Sequence, residues 1–311
     1  YQQYGNVDGT QYGVPAKTDL KSLVWYQPAA FEAAGYTVPE TFEDFVALIE
    51  QMAADGGAKP LCVGIESGQA TGWSYTDWVE DMMLRLHGGE DYDAWVANEL
   101  AFDDPKVQEA MQAPVDLWTE DNVFAAGGSI AATAFQDNGQ PLVDGQCYMH
   151  RQANFFAGLF PEGTTFADPA DETAVDVFYL PAFEGDDTNP VLTAGIFAAA
   201  FNEDPATDAV MQYIATAEYA ENRQRAQTEA VGGGLSGYLS AAIGQDPSVY
   251  QPLEQSFIEI LENAQVARFD GSDLMPADVG AGTFWTEGTS LVNGDTDVAT
   301  AAARIQESWP A

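Results

Sequence analysis

The sequence predicts an α/β fold on two patterns: helix-start signals that recur along the chain, and short apolar runs between them. Asp-Pro pairs stand at Asp104-Pro105, Asp204-Pro205 and Asp246-Pro247. In each, the Asp caps free amides and the Pro takes the first helical position, where its missing donor costs nothing. Thr41 and Asp44 form a capping-box pattern, followed by Phe45, Leu48, Ile49 and Met52 at helical spacing. After Asp77 and Glu80, the residues Val79, Met82, Met83 and Leu86 predict a second amphipathic helix, and Tyr250, Leu253, Phe257, Ile260 and Leu261 a third. The runs Leu61 to Ile65, Cys147 to Met149, Val175 to Leu180 and Val191 to Phe201 read as buried strands. Strands alternating with helices argue an α/β layered architecture.

At 311 residues the chain is long enough for two lobes, and 46% hydrophobic with 12% aromatic residues marks it as globular. It contains no run near the ~18 apolar residues that a membrane span needs. Against 49 Asp and Glu stand 10 Lys and Arg, a formal charge of −39. That balance excludes nucleic acid and anionic membranes as partners, because both require clustered Lys and Arg. The acid is dispersed, as in Glu90-Asp91-Tyr92-Asp93, which keeps a folded surface hydrated at a cost in self-repulsion that salt screens. The expected setting is a saline medium outside the cytoplasm of a salt-tolerant organism; an ordinary acidic soluble protein is the alternative.

Cys62 and Cys147 are the only cysteines, both in apolar, strand-like contexts, and one disulfide or two buried thiols are equally compatible with them. Without a CxxC pair, and with two histidines, a Cys/His zinc site is not expected. There is no GxSxG, HExxH, P-loop or GxGxxG. Gly232-Gly233-Gly234 reads as a flexible turn, and His87, before Gly88-Gly89, as a helix-end residue meeting the last carbonyls. Asp295-Thr296-Asp297 is acidic enough for a structural calcium ion but lacks the full EF-hand pattern, so no metal and no cofactor are expected.

Aromatic residues beside glycines stand out instead. Gly72-Trp73-Ser74-Tyr75-Thr76-Asp77-Trp78 reads as a loop opening a helix, Asn154-Phe155-Phe156 follows a strand, and Phe284-Trp285 follows Val279-Gly280-Ala281-Gly282. A sugar offers apolar C–H faces and a rim of hydroxyls. Flat rings cover the faces, and Asp, Asn, Gln and Arg satisfy the rim. For any single one of these aromatics, core packing is the stronger reading.

The segments Asp8-Gly9-Thr10-Gln11-Tyr12-Gly13-Val14-Pro15, Leu23-Val24-Trp25-Tyr26, Phe31-Glu32-Ala33-Ala34-Gly35-Tyr36 and Pro39-Glu40-Thr41-Phe42 resemble, in that order, the family-1 carbohydrate-binding proteins of ABC importers. Ala70-Thr71-Gly72-Trp73, Met149-His150-Arg151-Gln152 and Arg268-Phe269-Asp270-Gly271-Ser272-Asp273-Leu274-Met275-Pro276 are similar to their α-glucoside-binding branch. The resemblance implies a periplasmic-binding-protein-like (class II) fold of two lobes closing about a hinge. It also implies a further N-terminal portion of roughly 100 residues, about a small domain, so that the sequence reads as a fragment. Lobe one is then truncated, made of residues 1–17 and 188–229, and lobe two of residues 18–187 and 230–311.

By the same resemblance, the sugar contacts expected are Asp19 as a hinge-side acceptor, Phe155 and Trp285 as stacking rings, and Gly195 as a close backbone approach. Arg268 forks onto hydroxyls, and Trp73 and Asp77 lie at the rim. The implied protein is a monomeric, extracytoplasmic receptor, periplasmic or extracellular and membrane-anchored at its N-terminus. It captures an oligosaccharide and passes it to ABC permease subunits without an enzymatic step. Two other classes are open: a carbohydrate-active enzyme with a carboxylate pair facing a cleft, and a non-transport interaction module with an exposed apolar edge.

Overall fold

The computed structural model describes residues 2–310. A small hairpin of β1 (Asn6–Val7) and β2 (Thr10–Gln11) leads into β3 (Gly13–Leu20), which runs almost directly into β4 (Leu23–Tyr26). Then come α1 (Pro28–Ala34), α2 (Phe42–Asp55), β5 (Lys59–Cys62), the long α3 (Trp73–Val96), α4 (Pro105–Leu117), β6 (Val123–Phe124), α5 (Gly139–Val143), β7 (Cys147–Arg151) and β8 (Asp176–Tyr179). The chain continues through β9 (Val191–Ala199), α6 (Pro205–Ile214), α7 (Ala217–Ala230) and α8 (Pro252–Asn263). It closes with β10 (Ala267–Phe269), α9 (Gly271–Leu274), α10 (Trp285–Val292) and α11 (Val298–Glu307).

Two larger sheets organise these elements. One has the order β6-β5-β7-β4-β8, the other β10-β9-β3. The link between β3 and β4 is only Lys21 and Ser22, both buried, so the polypeptide passes from one sheet to the other there without a loop. The Lys21 amide donates to Leu192 O at 2.8 Å, and the Ser22 hydroxyl accepts from the Leu192 amide at 2.9 Å, which ties the crossing to β9. Along β3 the pairing with β9 is antiparallel from Gly13–Ala199 to Leu20–Thr193, with an irregularity between Pro15 and Lys17.

The expected capping works as chemistry: Thr41 accepts from the Asp44 amide, Asp104 from Lys106, Asp204 from Ala206 and Asp246 from Ser248. The last of these starts a single 3₁₀ turn, Pro247–Val249, and α8 begins afterwards at Pro252. At Gly88, where the sequence predicted a helix end, φ of 77° breaks α3, and helical structure resumes to Val96. His87 there lies 3.5 Å from Glu109 of α4.

Two apolar clusters flank the five-stranded sheet. The larger joins Phe45, Ile49, Met82, Trp95, Phe102, Phe284 and Ile305; the second joins Trp25, Phe156, Phe160, Leu239 and Phe257. Cys62 and Cys147, on the parallel neighbours β5 and β7, form a disulfide with Cα atoms 5.5 Å apart. The expectation of a wholly buried strand over Val191 to Phe201 needs correction. Val191–Thr193 are buried, but Ile196 and Phe201 are exposed, and α6 buries none of its side chains while presenting Val210 and Tyr213. Among the described residues no helix is long and apolar enough to cross a membrane.

Candidate functional site

Residues 17–21 at the strand crossing, the first turns of α3 and the 3₁₀ segment after β7 converge. Trp73 opens α3 with its ring half-buried, 4.9 Å from Phe135 and 6.3 Å from Phe155 between centroids. Lys17 Nζ stands 5.3 Å from the Phe155 ring centre, and Lys21 Nζ stands 5.6 Å from that of Trp73. Partly open rings beside charged groups offer a sugar both a flat apolar surface and hydroxyl partners.

Asp19 pairs with Lys17 at 2.8 Å. Asn154, fully buried, braces it: its side-chain oxygen accepts from the Leu20 amide at 2.6 Å, and its amide nitrogen donates to Gly237 O at 2.8 Å and to Asp19 at 3.5 Å. Opposite on β9, Gly195 pairs with Thr18 and Ala194 with Asp19. Gly72 sets the approach of Trp73: at φ of 111°, a Cβ there would stand 2.3 Å from Trp285 O. Only glycine allows the start of α3 to lie against the start of α10.

Beneath the rings lies a buried ionic network. Lys21 Nζ is 2.6 Å from Asp77 Oδ1 and 2.5 Å from Asp270 Oδ2. Arg151 donates to Asp81 Oδ2 at 2.6 Å, and Asp81 also accepts from Arg85 and from the Ser22 hydroxyl. Glu80 accepts from the amides of Gly271 and Ser272 at 2.9 and 3.1 Å. Burial opposes the charge on Lys21, but Asp270, Asp77 and Glu80 outweigh it and raise its pKa. Burial pushes Asp77 up to about 6 against the pull of Lys21, and pushes Glu80 well above the usual carboxylate range, with Asp270 adding to the shift. For Asp81 the guanidinium groups of Arg85 and Arg151 overcome burial and hold its pKa low. Asp77, Glu80 and Asp270 bring their oxygens within 4.8 Å of one another, a donor set suited to a hard cation. The Lys21 ammonium is the cation bonded to two of the three.

The structure thus brings Asp19, Trp73, Asp77, Phe155 and Gly195 to one crossing, and places the Trp285 backbone against Gly72. Arg268 stands apart from this crossing, its guanidinium forking onto Asp93 of α3 at 2.6 and 2.8 Å. The expected loop from Gly72 to Trp78 is helix from Trp73 onward. Tyr75 and Trp78 are core residues, Tyr75 donating to Met111 O, and Phe284 is core too. Asp297, in the acidic Asp295-Thr296-Asp297 stretch, caps α11. Sequence reasoning passed over Lys17, Lys21 and Phe135. The available signal was two of only ten basic side chains, four residues apart, flanking Asp19.

A family model described as bacterial extracellular solute-binding protein matches residues 1–221. The chain is 42% identical over 314 residues to the alpha-glucosides-binding periplasmic protein AglE of Rhizobium meliloti, which covers 98% of this chain and 65% of that protein. It is 40% identical over 309 residues to the osmoprotective compounds-binding protein GgtB of Synechocystis, covering 98% of this chain and 69% of that protein. The chain therefore spans about two thirds of the length of these curated relatives. Among solved structures, a chitin oligosaccharide binding protein superposes with a TM-score of 0.77 at 17% identity, over 99% of this chain and 73% of that one.

Proposed function

This chain belongs to the bacterial extracellular solute-binding protein family, and from that premise we propose that it is the ligand-capturing part of an ABC importer's receptor for an α-glucoside or a similar oligosaccharide. The single observation that carries the sugar reading is the half-buried Trp73 and Phe155 pair, 6.3 Å apart, edged by the Lys17–Asp19 pair at the strand crossing. Rings supply stacking area, and the Lys–Asp pair supplies donors and acceptors for adjacent hydroxyls. Asp19, Trp73 and Phe155 are the contacts we assign first, with Gly195 and Trp285 at their margins. Asp77 acts one layer beneath, through Lys21.

In this reading residues 1–17 and 188–229 belong to one lobe, and 18–187 with 230–311 to the other, so the boundary runs through the β10-β9-β3 sheet, with β9 in the first lobe, β10 in the second and β3 crossing between them. Sugar held between the lobes favours the closed form by differential affinity, and the permease recognises that form. The receptor works outside the cytoplasm, monomeric and tethered to the membrane, and performs no chemistry on its ligand. In support, the buried carboxylates near the rings are held by Lys21, Arg85 and Arg151 and by the Gly271 and Ser272 amides, rather than standing free as an acid and base.

A second ligand class, osmoprotective compounds, draws on the relative at 40% identity. Isothermal titration calorimetry of the full-length gene product in high salt, with maltose, trehalose and sucrose, tests both readings, since trehalose and sucrose answer to either description. Saturable binding without product formation, abolished in Trp73→Ala, supports the proposal. Absence of heat with all three sugars rejects it.

A further inference from the structure

At the first turn of α3 lies a cavity of about 10 Å³ lined by Ser74, Trp118, His150 and Arg151 among others. Each of these four side chains is more than nine-tenths buried. Each also carries one buried polar atom with no hydrogen-bond partner among the described residues: Ser74 Oγ, Trp118 Nε1, His150 Nε2 and Arg151 Nε. Four such atoms on residues that line one small cavity call for a shared partner, because an unsatisfied buried donor or acceptor costs about 1–3 kcal/mol.

The chemistry of the four atoms selects the occupant. Trp118 Nε1 and Arg151 Nε can only donate. His150 Nδ1 stands 2.9 Å from Cys62 O, which can only accept, so Nδ1 carries the proton. Burial, reinforced by the charge of Arg151, lowers the His150 pKa to about 4 and keeps the ring neutral. Nε2 is therefore an acceptor facing no protein donor. Ser74 Oγ serves either way. The set is two obligate donors, one obligate acceptor and one ambivalent hydroxyl. A metal ion would be repelled by the two donors and by the Arg151 charge. An anion would find no use for the Nε2 lone pair, and ammonium would need four acceptors.

We propose that this cavity is the binding site of a single structural water that accepts from Trp118 and Arg151 and donates to His150 and Ser74. The volume agrees, since roughly 10–15 Å³ is the least that admits one water. The water links three separate parts of the chain: the residue after Trp73 on α3, the C-terminal cap of α4, and strand β7. It adds to the direct bonds from Arg151 to the Asp77 carbonyl and the Asp81 carboxylate that hold the start of α3 against the sheet.

A high-resolution crystal structure is the first test, the expected result being one density peak within hydrogen-bond distance of all four atoms. A cavity without density, or a peak bonded to no more than two of them, overturns the proposal. The thermal stabilities of Ser74→Ala and Ser74→Val give an independent reading in solution. With a water present, Ser74→Ala keeps it on three partners. The larger Ser74→Val displaces it and strands the other three, so Ser74→Val melts lower than Ser74→Ala. A dry cavity reverses the order, because the valine methyls then fill empty space.

Discussion

Lys21 Nζ lies 2.5 Å from Asp270 Oδ2, joining residues 249 positions apart in the chain at the point where β3 passes into β4. The same ammonium reaches Asp77 on α3, so one side chain fastens the strand crossing, the long helix and the segment after β10. Removing it leaves two carboxylates buried without their cation. Lys21→Met is expected to lose about 3–5 kcal/mol in urea unfolding, and the double variant Lys21→Met/Asp270→Asn less than the single. A loss confined to a few tenths of a kcal/mol would show that solvent already reaches the network.

Two buried groups give the unfolding free energy opposite slopes in one pH window. Asp77 has its pKa raised from 3.8 to about 6, so its contribution is complete below 3.8 and is lost as pH rises through 6. His150 has its pKa lowered from 6.5 to about 4, so its contribution is present above 6.5 and is lost as pH falls through 4. Between these limits, the advantage of the wild type over Asp77→Asn is expected to shrink with rising pH, and that over His150→Gln to grow. Urea midpoints across the window read both slopes, and parallel profiles for wild type and variants would contradict the assignment.

The Cys62–Cys147 bridge closes a span of 85 residues. In the chain-entropy account such a loop contributes up to about 4.5 kcal/mol by restricting the unfolded chain. The variant Cys62→Ala/Cys147→Ala, or reduction of the wild type, should lower the melting temperature accordingly while leaving the helix and strand content unchanged by circular dichroism.

Gly72→Ala places a Cβ against the Trp285 carbonyl, at a backbone angle that L-residues rarely adopt. The expected loss exceeds ~1 kcal/mol, and because the displaced element begins with Trp73, weaker ligand binding should accompany it in calorimetry. Lost stability with unchanged affinity would detach Trp73 from the binding site.

Local chemistry made much of this legible beforehand. The Asp-Pro and Thr41 caps act within four residues of themselves, so the helix starts could be read directly. The runs around Leu61 and Cys147 gave strands because burial on both faces leaves a continuous apolar signal. The fold expected from the resemblance agrees with the solved relative superposed at a TM-score of 0.77. What escaped was decided by distant partners. Tyr75 and Trp78 had the spacing of core residues as much as of a binding loop, and only Trp118, 40 or more positions on, settles them as core. The ion pair of Arg268 with Asp93, 175 residues earlier, is likewise announced by no local pattern. Lys21 was overlooked for the same reason, since nothing near it in sequence predicts a lysine buried among three acids.

Three of the ten basic side chains, Lys21, Arg85 and Arg151, are buried, but Asp19, Asp77, Glu80, Asp81, Glu254 and Asp270 are buried with them, so the outer shell still carries nearly all of the overall charge of −39. Such a shell gathers a sheath of cations and repels co-ions over roughly a Debye length, ~10 Å at 0.1 M salt. An uncharged solute crosses that sheath without electrical work, whereas a phosphorylated or uronic sugar is turned back before it meets a single aromatic ring. The surplus of carboxylates at the exterior thereby forms a sieve for neutrality, ahead of any recognition by shape.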